Sequence, residues 1–402
     1  MSVETNEILS SYGTTVFEVM SRLAIENEAV NLGQGFPDED GPEDIRQIAA
    51  EGLVSGPNQY PPMMGHPDLR QAVAEHNLRF YGLEINWQKE VLVTSGATEA
   101  LADCCLALLN PGDEVILIEP LYDCYLPLVE RAGATPIPIR ITPPEWKLDR
   151  DALEAAFSDK TKFILLNSPM NPAGKVFNEN DLSFIASLVI KHDCIALCDE
   201  VYEHIFFEKH QHKPLMTFEG MRDRCIRIGS AGKSFSLTGW KVGYITAPEM
   251  LLATITKSHQ FLTFTTPPNL QIAVAAGLRK DVSYFNDLAI EMQQKRDYLK
   301  AGLEKLGFSV IECEGTYFLT VDISSMSSGM NDVDFCKDMT VNGGVAAVPV
   351  SAFYKNDAPD HFIRCCFCKK YDVLEEALRR LARYLNKHED QVIEAAKAHE
   401  RS

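Results

Sequence analysis

KFILLNSP at residues 162–169 and CIALCDE at residues 194–200 each run apolar for four or five consecutive positions and then break into polar residues. A strand with one wet face alternates in polarity, whereas an uninterrupted apolar run fits a strand covered by helices on both sides. Five more runs share this texture in varying degree: EVLVTSG ending at Gly96, EVILIEP ending at Pro120, TPIPIRI ending at Ile141, CIRIGSA ending at Ala231 and KVGYITAP ending at Pro248. Helix-length amphipathic stretches separate most of them, as βαβ crossovers require. The expected fold is therefore α/β, with a mostly parallel seven-stranded sheet. KVGYITAP follows its predecessor too closely for a crossover helix, which leaves it open to an antiparallel placement.

The rhythm changes after residue 285. A long polar helix ending at Gly307 precedes the strand-like runs FSVIE, YFLTVDI, VAAVPV and HFIRCCF. A last helix is expected with Asp372 as N-cap and Glu375 three residues on, a capping-box spacing. Leu374, Ala377, Leu378, Leu381 and Leu385 then form its apolar stripe. The division expected is a large domain at 46–284 and a smaller α+β domain built from 1–45 and 285–402.

Thirty-eight Lys+Arg against 57 Asp+Glu give a net charge of −19 over 402 residues. Such a balance excludes a general binder of nucleic acid or anionic membrane, because both need a basic surface. It leaves room for a small-molecule enzyme with a few basic groups gathered in one pocket. The opening MSVETNEILSS has no basic stretch leading into an apolar one, and no apolar run approaches the roughly 18 residues of a membrane span. Neither a secretory leader nor a membrane segment is expected. The 11 cysteines suit a reducing cytoplasm. Cys365, Cys366 and Cys368, with Cys194 and Cys198, read as core filling, and no metal is expected.

In an open parallel sheet, ligands bind beyond the carboxyl ends of the strands. The polar residues there are Gly96-Ala97-Thr98, Tyr122, Asn167 with Asn171, Asp199 with Tyr202, and Ser230 with Lys233. A lysine forms Schiff bases, and burial depresses its pKa for that purpose. Pyridoxal phosphate (PLP) requires such a lysine, a carboxylate for its ring nitrogen, and a phosphate cup of backbone amides and hydroxyls.

The segment SAGKSFSLTGWKVG at 230–243 resembles the Schiff-base signature of fold type I PLP-dependent aminotransferases, class I/II: S-x-x-K with a basic residue eight positions after the lysine. NLGQGFPD (31–38), NQYPPMMGHPDLR (58–70), SGATEAL (95–101), EPLYDCY (119–125), NSPMNPAGKVF (167–177), CDEVYEH (198–204) and HFIRCCF (361–367) resemble the family's other motifs in the same order, over nearly the whole chain. In texture the sequence is similar to the group of kynurenine aminotransferase, glutamine transaminase K and methionine aminotransferase.

The resemblance implies a role for each matching residue. Lys233 would hold PLP as a Schiff base and then move the proton at the substrate Cα. Asp199 would pair with the ring nitrogen, and Tyr202 and Asn171 would bond the phenolic oxygen. Ala97, Thr98, Ser230 and Lys241 would bind the phosphate. Arginine is commoner at the last position, and lysine supplies a point charge without the bidentate fork. Tyr122 would stack on the ring. Arg364, with Gly33 and Asn171, would take the substrate α-carboxylate, a partner suited to the arginine fork. Tyr60 would reach the phosphate of a neighbouring subunit and Phe264 would line that subunit's pocket, so a homodimer with shared sites is implied. Two positions depart from the subgroup: Val16-Phe17 stands where a Trp is frequent, and Thr265 follows Phe264 where some relatives have His. Both bear on the walls that read the substrate side chain.

The activity implied is transfer of an amino group from an L-amino acid to a 2-oxo acid by ping-pong exchange, with neutral or aromatic donors favoured. The alternative on the same cofactor is a cysteine-S-conjugate-type β-lyase. A serine hydrolase using Ser230-x-x-Lys233 would also need S-D-N and K-T-G elements, which are missing. A PLP-sensing regulator would need a DNA-binding module, for which the sequence offers neither room nor charge.

Overall fold

The computed structural model describes residues 5–398. All seven apolar runs form strands of one sheet: β1 (Val91–Ser95), β2 (Glu114–Glu119), β3 (Thr135–Arg140), β4 (Thr161–Asn167), β5 (Ile195–Asp199), β6 (Cys225–Ser230) and β7 (Val242–Thr246). Their spatial order is β1-β7-β6-β5-β4-β2-β3. Neighbours from β6 to β3 pair in parallel, and β7 is antiparallel to both β1 and β6. The short β6–β7 connection thus does what its length dictates. Every residue of β6 and β7 is buried, as a sheet covered on both faces requires.

The reversal of β7 matters for function. Its first residues emerge at the edge where the parallel strands end, so Lys241, just before β7, stands beside the residues that leave β1 and β6. Gly243 makes this approach possible. A Cβ there would fall 2.6 Å from the Gly96 carbonyl carbon and 2.8 Å from the Ala97 nitrogen. Only a glycine lets β7 pass so close to the start of helix Gly96–Leu108.

Four of the six remaining strands make a smaller antiparallel sheet in the order 348–349, 362–366, 318–322 and 309–310. The N-terminal segment is stitched to it. Val30–Asn31 pairs in parallel with Val345–Ala346, and the Leu32 carbonyl accepts from the Cys366 amide at 2.7 Å. Helix Val282–Leu306, 25 residues and about 37 Å long, runs alongside and ends at Gly307 with φ +105. It begins before residue 285. Its buried Lys295 pairs with Glu291 at 2.6 Å and with Glu39 of the N-terminal segment at 3.0 Å, and Arg296 pairs with Glu208.

The expected N-cap at Asp372 is corrected by the structure. Helix Tyr371–Tyr384 starts two residues earlier, with Lys370 as N-cap and Asp372 in the first turn. The Lys370 amide donates to the Asp38 carboxylate at 3.3 Å, so a residue far off in sequence fixes the helix start. Glu375 completes no capping box and instead pairs with Arg379 at 2.8 Å and Lys397 at 2.9 Å. Leu374, Ala377, Leu378 and Leu381 are buried as expected, while Leu385 is the C-cap. A further helix, Glu389–Lys397, packs behind. All 11 cysteines are free, and all but Cys124 are buried. Among the described residues no helix is long and apolar enough to cross a membrane.

Candidate active site

A cavity of about 400 Å³ opens where the carboxyl ends of the strands meet the small sheet. Ala97, Thr98, Tyr122, Asn171, Asp199, Tyr202, Ser230, Lys233, Lys241 and Arg364 all line it. All but Lys241, just before β7, and Arg364, inside a strand of the small sheet, follow or end a strand of the large sheet, so the fold gathers residues scattered over 268 positions of sequence, from 97 to 364.

Asp199 ends β5. Its carboxylate accepts from Tyr125 Oη at 2.6 Å and from the Val201 amide at 3.4 Å. Burial raises its pKa, and the hydrogen bonds from Tyr125 and Val201 and then the Lys233 charge only partly oppose this. A buried carboxylate in this condition favours a cationic N–H partner. Asn167 braces the same point, donating to the Asp199 carbonyl at 2.9 Å and accepting from the Asn171 amide at 2.8 Å. Behind the turn, away from the cavity, Arg227 binds Glu200 at 2.5 Å and Glu203 at 3.1 Å. His76 and His204 meet there through their Nε2 atoms at 2.7 Å. Burial holds their pKa values down to about 4 and about 3, so both rings are neutral near pH 7 and one can donate to the other.

Lys233 sits in the single helical turn Ala231–Ser234 that follows β6. Its Nζ donates to Tyr317 Oη at 2.8 Å, and that hydroxyl donates to the Gly35 carbonyl at 2.7 Å. Burial lowers the Lys233 pKa, with Cys368, Cys366 and Asp199 partly countering it.

Helix Gly96–Leu108 starts at the cavity, and Gly96 makes the strand-to-helix turn with φ +77. First-turn amides have no acceptor within a helix and carry the positive end of its dipole. Lys241 lies over them, its Nζ 3.5 Å from where a Gly96 Cβ would stand. Glu99, one turn in, is occupied by the Ser95 amide and by His259 Nδ1, the latter at 2.8 Å. The cup therefore pairs helix amides, Ser230 and a lysine, a set suited to a phosphate dianion.

Arg364 lies within the strand 362–366, only 1 % exposed. Its Nη1 donates to Asn171 Oδ1 at 2.9 Å and its Nη2 to the Gly33 carbonyl at 2.7 Å, both neutral acceptors. Nε has no partner, and the guanidinium stands 3.9 Å from the centroid of the Phe318 ring. Burial lowers its pKa. A buried cation without a carboxylate partner is costly unless a ligand supplies one.

These features suit PLP: a carboxylate for a ring N–H, an anion cup for a phosphate, and a lysine between them. Gly33 reaches the site only through its carbonyl to Arg364. Tyr60 and Phe264 stay outside the cavity, 81 % and 40 % exposed, with their rings in edge-to-face contact at 5.3 Å. Phe17 lines the wall, but Val16 and Thr265 do not. Sequence reasoning passed over Tyr125, Tyr317 and Phe36. Tyr125 could have been found, since it lies three residues after Tyr122 at the start of a helix. Nothing local marks Tyr317, whose contacts come from distant segments.

The aminotransferase class I and II family matches residues 27–381. The "Probable N-succinyldiaminopimelate aminotransferase DapC" of Mycobacterium tuberculosis is 42 % identical over 386 residues, covering 93 % of this chain and 97 % of that one. Human kynurenine–oxoglutarate transaminase 3 is 39 % identical over 396 residues, covering 90 % and 87 %. The solved structure of Escherichia coli YbdL, described as having a methionine aminotransferase function, superposes with a TM-score of 0.92 at 38 % identity, covering 95 % of this chain and all of that one. The chain belongs to the class I and II aminotransferases. It is a PLP-dependent enzyme that transfers amino groups between amino acids and 2-oxo acids.

Proposed function

We propose that this aminotransferase acts on neutral or aromatic L-amino acids, with Lys233, Asp199 and Arg364 as its central residues. The observation that carries the reading is the meeting of Lys233, Asp199, the 96–98 helix start and Arg364 around one cavity. Bound PLP supplies an aldehyde that exchanges with the donor's amino group and a protonated ring that draws off the electron pair left at Cα.

The protein's own groups do the rest. Asp199 would hold the ring N–H, with its carboxylate oriented by Tyr125. Tyr202 and Asn171 would bond the phenolic oxygen, and Tyr122 would cover the ring. The amides of Ala97 and Thr98, the Ser230 hydroxyl and the Lys241 ammonium would hold the phosphate. Arg364 turns its fork to the substrate carboxylate, oriented by Asn171 and Gly33. Lys233 would anchor the cofactor, and its amine, when free, would take the proton from the substrate Cα. Burial depresses its pKa, which keeps a share of it neutral for that work.

Lys233, Lys241 and Arg364 are the only lysines and arginines lining the cavity among the described residues. Each has a task, leaving none for a side-chain carboxylate. Phe17, Phe36 and Phe318 present rings to the substrate, and relatives are named for methionine and kynurenine. We further propose that residues 46–284 act as the cofactor-binding domain and that 1–45 with 285–402 close over it. Exposed Tyr60 and Phe264, with Phe261 and Leu262 close by in sequence, favour a homodimer in which Tyr60 reaches the partner's phosphate. Eleven free cysteines favour a cytoplasmic location.

The test is borohydride reduction of the holoenzyme followed by peptide mapping, where the cofactor label is expected on Lys233 and a label elsewhere refutes the assignment. A donor panel read by the cofactor's absorbance change should rank Met, Gln and aromatic residues above Asp. Pyruvate release from a cysteine conjugate without any 2-oxo acid, as fast as transfer with one, would favour the lyase.

A further inference from the structure

The Lys233 amine must be steered at the moment it is released. An amine on a four-carbon stem has many rotamers, and proton transfer needs its lone pair aimed at one atom. Tyr317 is placed to restrict it. The residue is 1 % exposed and stands at the edge of the small sheet, beside strand 318–322, its ring edge-to-face with Tyr202 at 5.0 Å. Its hydroxyl meets Lys233 Nζ at 2.8 Å and the Gly35 carbonyl at 2.7 Å, and the Tyr202 hydroxyl hydrogen-bonds to it as well.

The direction of this chain of bonds follows from valence. A carbonyl cannot donate, so the single Tyr317 proton lies on the bond to Gly35. The hydroxyl oxygen is then an acceptor toward Lys233, which must donate one of its N–H bonds. A neutral amine held by its N–H keeps its lone pair free. A donor in the same place would have bonded that lone pair and blocked the base.

We propose that Tyr317 is a positioning residue for the transamination base, holding the released Lys233 amine by an N–H with its lone pair free, and that the Gly35 carbonyl fixes Tyr317 for this task. The proposal rests on the reading of Lys233 as the cofactor-bearing lysine. It also joins two parts of the site. Gly35 lies two residues from Gly33, whose carbonyl orients Arg364, so one short N-terminal segment sets both the carboxylate clamp and the base.

The other charged or titratable groups around Lys233 are Asp199, Arg364, Cys366, Cys368 and Tyr202. Tyr317→Phe leaves all of them in place and removes one oxygen. Two measurements test the proposal. In the apoprotein, carbamylation of Lys233 by cyanate, followed by mass spectrometry against pH, should reach its half-maximal rate at a lower pH in the variant, because the ammonium has lost an acceptor. In the holoenzyme, kcat should fall ten- to a hundredfold with the donor KM within about twofold, and the effect of deuterium at Cα on kcat should rise. Coincident carbamylation profiles together with kcat within twofold of wild type would overturn the proposal and leave Tyr317 a packing residue. Borohydride labelling separates this failure from failure of the parent reading: a label on Lys233 in both proteins keeps the parent reading, whereas a label on another lysine removes both.

Discussion

Arg364→Gln is the substitution whose cost can be worked most directly from the structure. In the structure the guanidinium spends Nη1 on Asn171 and Nη2 on Gly33, both uncharged, and among the described residues Nε has no partner. A substrate carboxylate would convert this arrangement into a charge pair with two directed hydrogen bonds. Hydrogen bonds to charged groups contribute about 1.5–3 kcal/mol each, so two amount to ~3–6 kcal/mol, or a loss of roughly 10²–10⁴ in kcat/KM. Because the carboxylate is bound in both ground and transition states, most of the loss should fall on KM. Steady-state kinetics with methionine measures it. A companion assay is thermal unfolding with 3-phenylpropionate, a carboxylate without an amino group. At a hundredfold excess over its Kd such a ligand stabilises by about 2.7 kcal/mol, so Tm should rise in wild type and stay put in the variant. A loss in kcat/KM below about tenfold, or one confined to kcat, refutes the carboxylate assignment.

Lys233→Ala should abolish both the cofactor's Schiff-base absorbance and turnover, and measurable activity in a purified sample would refute its role. Tyr125→Phe removes the 2.6 Å hydrogen bond to Asp199, so kcat should fall several-fold with cofactor retained, as read by absorbance and kinetics. Asp103→Asn tests a buried carboxyl outside the cavity whose pKa is raised to about 7, by burial and then by Glu99. The folded state holds that proton while an unfolded carboxyl near 3.9 has lost it, so ionisation costs stability as pH climbs from about 4 to 7 and the cost is complete above 7. The variant's Tm advantage over wild type should grow across that window, from little near pH 4 to a maximum near pH 8, worth at most about 4 kcal/mol. An advantage that shrinks with pH would contradict it.

Much of this molecule could be read before its coordinates. Seven runs of apolar residues became seven paired strands because burial on both faces leaves a pattern that neighbours in sequence carry by themselves. Asp199, Lys233, Thr98 and Asn171 were legible for the same reason, since each ends a strand or comes within four residues of a strand's end. What escaped depends on contacts between distant segments. Tyr317 meets Lys233 and Gly35 across 84 and 282 positions. Asp38 moves a helix start by holding the Lys370 amide across 332. Arg364 was legible as an arginine in an apolar strand, but its unpartnered Nε was not, because that depends on what the fold leaves out.

The N-terminal segment offers a consequence for anyone wishing to retune the enzyme. Helix Val16–Glu26 and the loop to Phe36 supply the wall residues Phe17, Gln34 and Phe36 while packing against the small sheet and its helices. Lys233 and Asp199, to which we assign the chemistry, belong to another sheet. A mutagenesis library confined to the side chains of Phe17, Gln34 and Phe36 would thus sample new substrate preferences while sparing the chemical machinery, and three codons are few enough to screen exhaustively. The backbone of Gly33 and Gly35 should be left out of such a library, since their carbonyls hold Arg364 and Tyr317. On the proposed reading selectivity lies along one margin of the protein, and a small edit there should redirect an unchanged reaction.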